Sequence, residues 1–87
     1  MKWKVSFSKQ AAGFIAEQKV SEEVSHLIVL VIGKFNKETV SVDIKKLKGE
    51  WGDFYRIRKG KWRVIASFDF ENHSVFVEVI DWRGNIY

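Results

Sequence analysis

Residues 54–70 read FYRIRKGKWRVIASFDF. Aromatic and branched apolar residues alternate there with arginines, on both sides of a Lys59-Gly60 break. Successive side chains leave a strand on opposite faces, so a period of two marks a half-buried β-strand. Two such runs around a short break, with a glycine able to take positive φ, predict a hairpin with Lys59-Gly60 as its turn. That hairpin constrains the fold more than any other feature, because the remaining segments must pack on it or extend it.

A third alternating run follows at 74–82, after a second turn at ENHS, 71–74. Strands over 53–58, 61–70 and 74–82 then form an antiparallel meander. Upstream, KWKVSFS at 2–8 also alternates, with Trp3, Val5 and Phe7 on one side. Ser8 is a plausible N-cap for a short helix whose apolar stripe is Ala11 or Ala12, Phe14 and Ile15; Gly13 weakens it. A second helix starts at Ser21, with Glu22 and Glu23 in the turn where carboxylates favour the helix dipole. Val24, Leu27, Ile28, Val31 and Phe35 recur at helical spacing, and the helix ends near KFNKE. Residues 38–52 are polar and read as a loop. Strands gathered after helices argue α+β: an N-terminal strand, two helices, then a three-stranded antiparallel meander.

The chain of 87 residues reads as a single domain, 1–87, with four Trp and seven Phe to supply large buried areas. It has no cysteine, which removes thiolate metal sites and fits a reducing, cytoplasmic setting. No segment reads as a signal peptide. The longest apolar run, LIVLVI at 27–32, is far below the roughly 18 residues of a membrane span. The isolated His26 and His73 read as surface residues, and no acidic pair has metal-binding spacing. Trp51, Trp62 and Trp82 read as packing residues.

Charge is unevenly placed. The chain carries +4, yet Lys45 to Arg63 holds eight basic and two acidic residues, so this segment is at +6 and the rest at −2. A basic cluster of this kind suits an anionic partner. With Lys59-Gly60 as the turn, Arg58 pairs with Lys61, Ile57 with Trp62, and Arg56 with Arg63. Paired residues share a face, so Arg56, Arg58, Lys61 and Arg63 project together, opposite Tyr55, Ile57, Trp62 and Val64. Like charges set opposite each other destabilise a sheet. A bound phosphate would relieve that repulsion, and arginine's planar fork suits it. Ordinary ion pairs to Asp53, Glu50 or Asp81 would relieve it as well.

The element order, with LKG at 47–49, YRIRKGKWRVI at 55–65 and VFVEVIDWRGNIY at 75–87, resembles the RelE/ParE superfamily of toxins from type II toxin–antitoxin modules. RelE-like members are ribosome-dependent mRNA endonucleases. The resemblance implies functional positions at Arg56 and Arg58, at Arg63, at Arg83 and at Tyr87. The basic cluster adds Lys45, Lys46, Lys48, Lys59 and Lys61 as residues that would meet RNA or ribosome. The resemblance implies metal-independent cleavage in the A site: the substrate's 2′-hydroxyl attacks the adjacent phosphate and expels the 5′-oxygen. Arg63 would hold the scissile phosphate, Arg83 would sit by the leaving oxygen, and Tyr87 would stack on or orient a base. It implies no cofactor. The partners would be an antitoxin, the ribosome and mRNA, and part of the second helix could meet the antitoxin.

RelE-type enzymes often have lysines where this chain has Arg56 and Arg58. Arginine, with a pKa above about 12, cannot serve as base. Lys46, Lys48, Lys59 or Lys61, a ribosomal group, or electrostatic activation alone could fill that role. Two other readings stand beside the nuclease. One is a ParE-like DNA gyrase poison. The other is an inactive family member that only binds antitoxin.

Overall fold

The computed structural model describes residues 3–37, 39 and 42–82, apart from the side chain of Trp51. The elements run β1 (Lys4–Phe7), α1 (Lys9–Gln18), α2 (Ser21–Phe35), β2 (Asp43–Lys46), β3 (Tyr55–Lys59), β4 (Trp62–Asp69) and β5 (Ser74–Trp82). A short 3-10 turn covers Gly49–Trp51. The α+β order and the β3–β4–β5 meander are as expected from the sequence. The sheet, however, has five strands, in the order β1-β5-β4-β3-β2. β1 runs parallel to β5, and the other pairs are antiparallel.

The fifth strand corrects the expectation of a loop over 38–52. β2 reads DIKK and has one apolar residue, Ile44. It pairs on one side only, as an edge strand. Lysines are common on such edges, where they discourage further pairing, and they hide the alternation.

Both helices lie on one face of the sheet. α2 buries Val24, Leu27, Ile28 and Val31, the i, i+3, i+4, i+7 stripe of an amphipathic helix. These pack with Ala11 of α1 and with Ile57, Val64, Ala66, Val75, Val77 and Ile80 of the sheet. Aromatic rings close both ends. Phe14 meets Trp62 and Trp82 edge-on, and Phe35 meets Tyr55, Phe68 and Phe70. Trp62 and Trp82 are therefore packing residues. His26 is exposed on α2, and His73 sits in the β4–β5 turn against the Trp3 ring.

Two local devices fix the sheet. Ser8 caps α1 by accepting from the Ala11 N–H at 3.1 Å, and its hydroxyl donates to the Glu78 carbonyl. Glu78 is the extra residue of a β-bulge: Ile65 pairs with Val79 while Ala66 pairs with Val77. The Gln10 side chain reinforces the join. It donates to the Ile80 carbonyl at 2.9 Å and accepts from the Ile80 N–H at 3.1 Å. The bulge shifts the alternation of β5 by one residue. Val77, Ile80 and Trp82 thereby face the helices, and Asp81 turns to the opposite face.

Candidate functional site: an arginine-bearing sheet face

The hairpin turn lies one residue further along than Lys59-Gly60. Lys59 pairs with Trp62, leaving Gly60 and Lys61 as the two turn residues, with Gly60 at φ 58°. The register becomes Arg58 with Arg63 and Arg56 with Ile65. The pairing shifts by two residues, an even number, so the strand residues Arg56, Arg58 and Arg63 keep their facing. Arg56, Arg58 and Arg63 do share the face opposite Ile57 and Val64. Lys61 does not join them, since it lies exposed in the turn.

Pairing across four strands lays this face out in rows. One runs Asp43, Arg58, Arg63, Asp81 over β2, β3, β4 and β5. The next runs Lys45, Arg56, Ile65, Val79. Two arginines meet head on in the first row, with an aspartate on the outer side of each. Ile65 is 1% exposed, although it points away from the helix-side core. The arginines thus stand beside an apolar floor, and charges in such a setting act more strongly than in open water.

The aspartate beside Arg58 is Asp43. Arg58 donates to its Oδ2 from Nε at 2.9 Å and from Nη2 at 2.6 Å. Nη2 of Arg56 stands 3.9 Å from the same oxygen. The Arg58 hydrogen bond holds the Asp43 carboxyl below its ordinary value, and the charges of Arg58, Arg56 and Lys34 act in the same direction. Lys34 of α2 donates to the Val42 carbonyl at 2.7 Å, next to this group. Asp43, Arg58, Lys34, Lys59 and Gly60 line an open cleft of about 800 Å³ at the β2 edge.

Of the neutralising acids named from the sequence, Asp81 alone is in the arginine rows. Glu50 and Asp53 are exposed in the turn region before β3. Asp43 was not legible as a partner, because its strand read as a loop. The lysines divide as well. Lys45 stands opposite Arg56 on the arginine face, whereas Lys46 pairs with Tyr55 and Lys59 with Trp62 on the helix-side alternation. Lys48 is exposed ahead of the 3-10 turn. Arg83 and Tyr87 lie outside the described residues. Among the described residues, no group of three His, Cys, Asp or Glu side chains could hold a metal ion. No described helix is long and apolar enough to cross a membrane.

No family model matches the sequence, and no curated protein is significantly similar to it. Solved structures are similar over nearly the whole chain. One is the archaeal RelE–RelB complex from Pyrococcus horikoshii, at 27% identity and TM-score 0.58, covering 97% of this chain and 98% of that one. Another is the RelBE toxin–antitoxin complex from Mycobacterium tuberculosis, at 21% identity and TM-score 0.60, covering 95% and 100%. A third is a YafQ variant from E. coli, at 15% identity and TM-score 0.65, covering 99% of each. The chain has the RelE-like fold, and these neighbours support the resemblance to the RelE-like toxin superfamily carried by its motifs.

Proposed function

We propose that this chain is the toxin of a type II toxin–antitoxin pair and cleaves mRNA in the A site of the translating ribosome. The observation that carries the reading is the gathering of Arg56, Arg58, Arg63 and Lys45 on one sheet face, set around a buried Ile65. The RelE-like fold supports it, as do the neighbours whose structures are complexes of RelE with RelB.

The chemistry assigned to this face is phosphodiester transfer within the RNA. The substrate's 2′-hydroxyl gives up its proton as its oxygen bonds to phosphorus, the bond to the 5′-oxygen breaks and that oxygen takes up a proton, and the products are a 2′,3′-cyclic phosphate and a 5′-hydroxyl. The nucleophile belongs to the substrate, so the route calls for no metal. The protein orients the nucleotide and stabilises the extra charge of the phosphorane. Arg63 holds the scissile phosphate, with Arg56 and Arg58 adding donors on the neighbouring strand. Lys45 steadies the RNA backbone beside Arg56. Arg83 serves the leaving oxygen, and Tyr87 stacks on a base. An antitoxin covers the same face and competes with RNA for it, in the cytoplasm.

Induced expression in cells tests the reading. Protein synthesis, followed by labelled amino-acid incorporation, is expected to stop while plasmid supercoiling persists. Loss of supercoiling ahead of translation would contradict it and favour the gyrase poison. Continued growth would favour a chain that only binds antitoxin.

A further inference from the structure

We infer that Asp43 is a built-in occupant of the phosphate site, a carboxylate that RNA must displace from Arg58 and Arg56. The inference rests on the reading that this face takes RNA phosphate.

Arg58 spends two N–H donors on a single oxygen, Oδ2 of Asp43, at 2.9 and 2.6 Å. Arg56 directs Nη2 at that same oxygen from 3.9 Å. One anionic oxygen thus sits at the focus of two guanidinium groups from one strand. A non-bridging phosphate oxygen would take the same place, since guanidinium donors grip carboxylate and phosphate with like geometry. The occupant is held loosely enough to leave. The Asp43 side chain is 48% exposed, at the end of an edge strand and on the wall of an open cleft. Exposed ion pairs of this kind are weak.

Asp43 also changes the charge presented to RNA. Its row and the next hold four cations, Lys45, Arg56, Arg58 and Arg63, against two anions, Asp43 and Asp81. Neutralising Asp43 leaves one anion against four cations. A carboxylate that only propped Arg58 in position would add to phosphate binding. A competing carboxylate subtracts from it, and Asp43→Asn tells the two apart, because asparagine keeps the shape and one acceptor oxygen.

The probe is a short single-stranded DNA oligonucleotide, which lacks the 2′-hydroxyl and cannot be cut. Its binding to the free protein, without ribosomes, is followed by fluorescence anisotropy across a salt series. Asp43→Asn is expected to bind more tightly, by about fivefold near 0.1 M salt, with a log–log salt slope steeper by about 0.7, the change for one further phosphate charge on a single strand. Equal or weaker binding by a folded Asp43→Asn protein would overturn the inference, as would no binding by either protein. Unaltered protein supplies a second arm that does not depend on the variant folding. The Asp43 carboxyl carbon resonance is expected to move as oligonucleotide is added, and a resonance unmoved at saturation would also overturn the inference. Ribosome-programmed cleavage is scored apart from these. Tighter binding without cleavage would remove the nuclease and leave Asp43 as the occupant of an anion site.

Discussion

Arg58 and Arg63 stand directly opposite each other across the β3–β4 pair, and each has an aspartate opposite it on its outer neighbour: Asp43 on β2 and Asp81 on β5. Two like charges at the centre of a sheet row are unfavourable unless opposite charge lies close. The row supplies it from both sides. The same layout leaves the arginines ready to accept another anion along the face.

Arg63 lies on β4, the central strand of the five-stranded sheet, between Arg58 and Asp81 in its row. Arg63→Ala is expected to reduce mRNA cleavage by about a hundredfold or more, the usual loss when a transition-state donor is removed. Arg63→Lys keeps the charge and loses the fork, and it is expected to recover only part of the rate. Single-turnover cleavage on programmed ribosomes, with circular dichroism as the check on folding, measures both.

Adjacent lysines on β2 are expected to behave differently. Lys45 is opposite Arg56 on the arginine face, and Lys46 is opposite Tyr55 on the other alternation. Lys45→Gln should weaken oligonucleotide binding and flatten its salt slope by about 0.7. Lys46→Gln should change both less. Equal effects would show that the facing of β2 does not organise RNA contact.

Ser8 serves two elements at once, capping α1 and holding the Glu78 bulge. Ser8→Ala is expected to destabilise the fold by about 1–2 kcal/mol, the upper part of the range for a lost N-cap. Urea unfolding followed by tryptophan fluorescence measures it. A loss below a few tenths would mean that the bulge stands without the hydroxyl.

Asp43 also sets an acid limit. Its carboxyl is held below the ordinary value of 3.8 by the Arg58 hydrogen bond, with the charges of Arg58, Arg56 and Lys34 assisting and partial desolvation opposing. A depressed folded-state pKa contributes stability that is present above the unfolded value and lost as pH falls through the folded one. The contribution is therefore complete at neutral pH and disappears only below about 3.8, and in Asp43→Asn that part of the acid limb should be absent. Carbon-detected NMR titration of the carboxyl checks the direction: a midpoint at or above 3.8 would contradict the pairing.

Much of this layout is legible in the sequence, for physical reasons that also explain the misses. The hairpin turn falls one residue from Lys59-Gly60, yet the arginine facing is right, because moving a two-residue turn by one residue shifts the pairing by two, an even number. β2 is hidden because Ile44 is its one apolar residue, and an alternation of one cannot be seen. Asp43 is hidden with it, so the acid that holds Arg58 was not among those named. The bulge is hidden as well, because Phe76 and Val79 on the other face of β5 are also apolar and mask the change of parity. Apolar helix-facing positions in β5 switch from odd numbers, Val75 and Val77, to even ones, Ile80 and Trp82, and a change of parity within one strand is what a single extra residue produces.

The central claim is cleavage of mRNA on the ribosome, and primer extension on a defined mRNA tests it most directly. One reaction holds translating ribosomes and the protein, and a parallel reaction holds the same mRNA and protein without ribosomes. The account predicts cuts at A-site codons in the first reaction and an intact message in the second. An intact message in both would contradict it and leave the arginine face as a dock for an antitoxin.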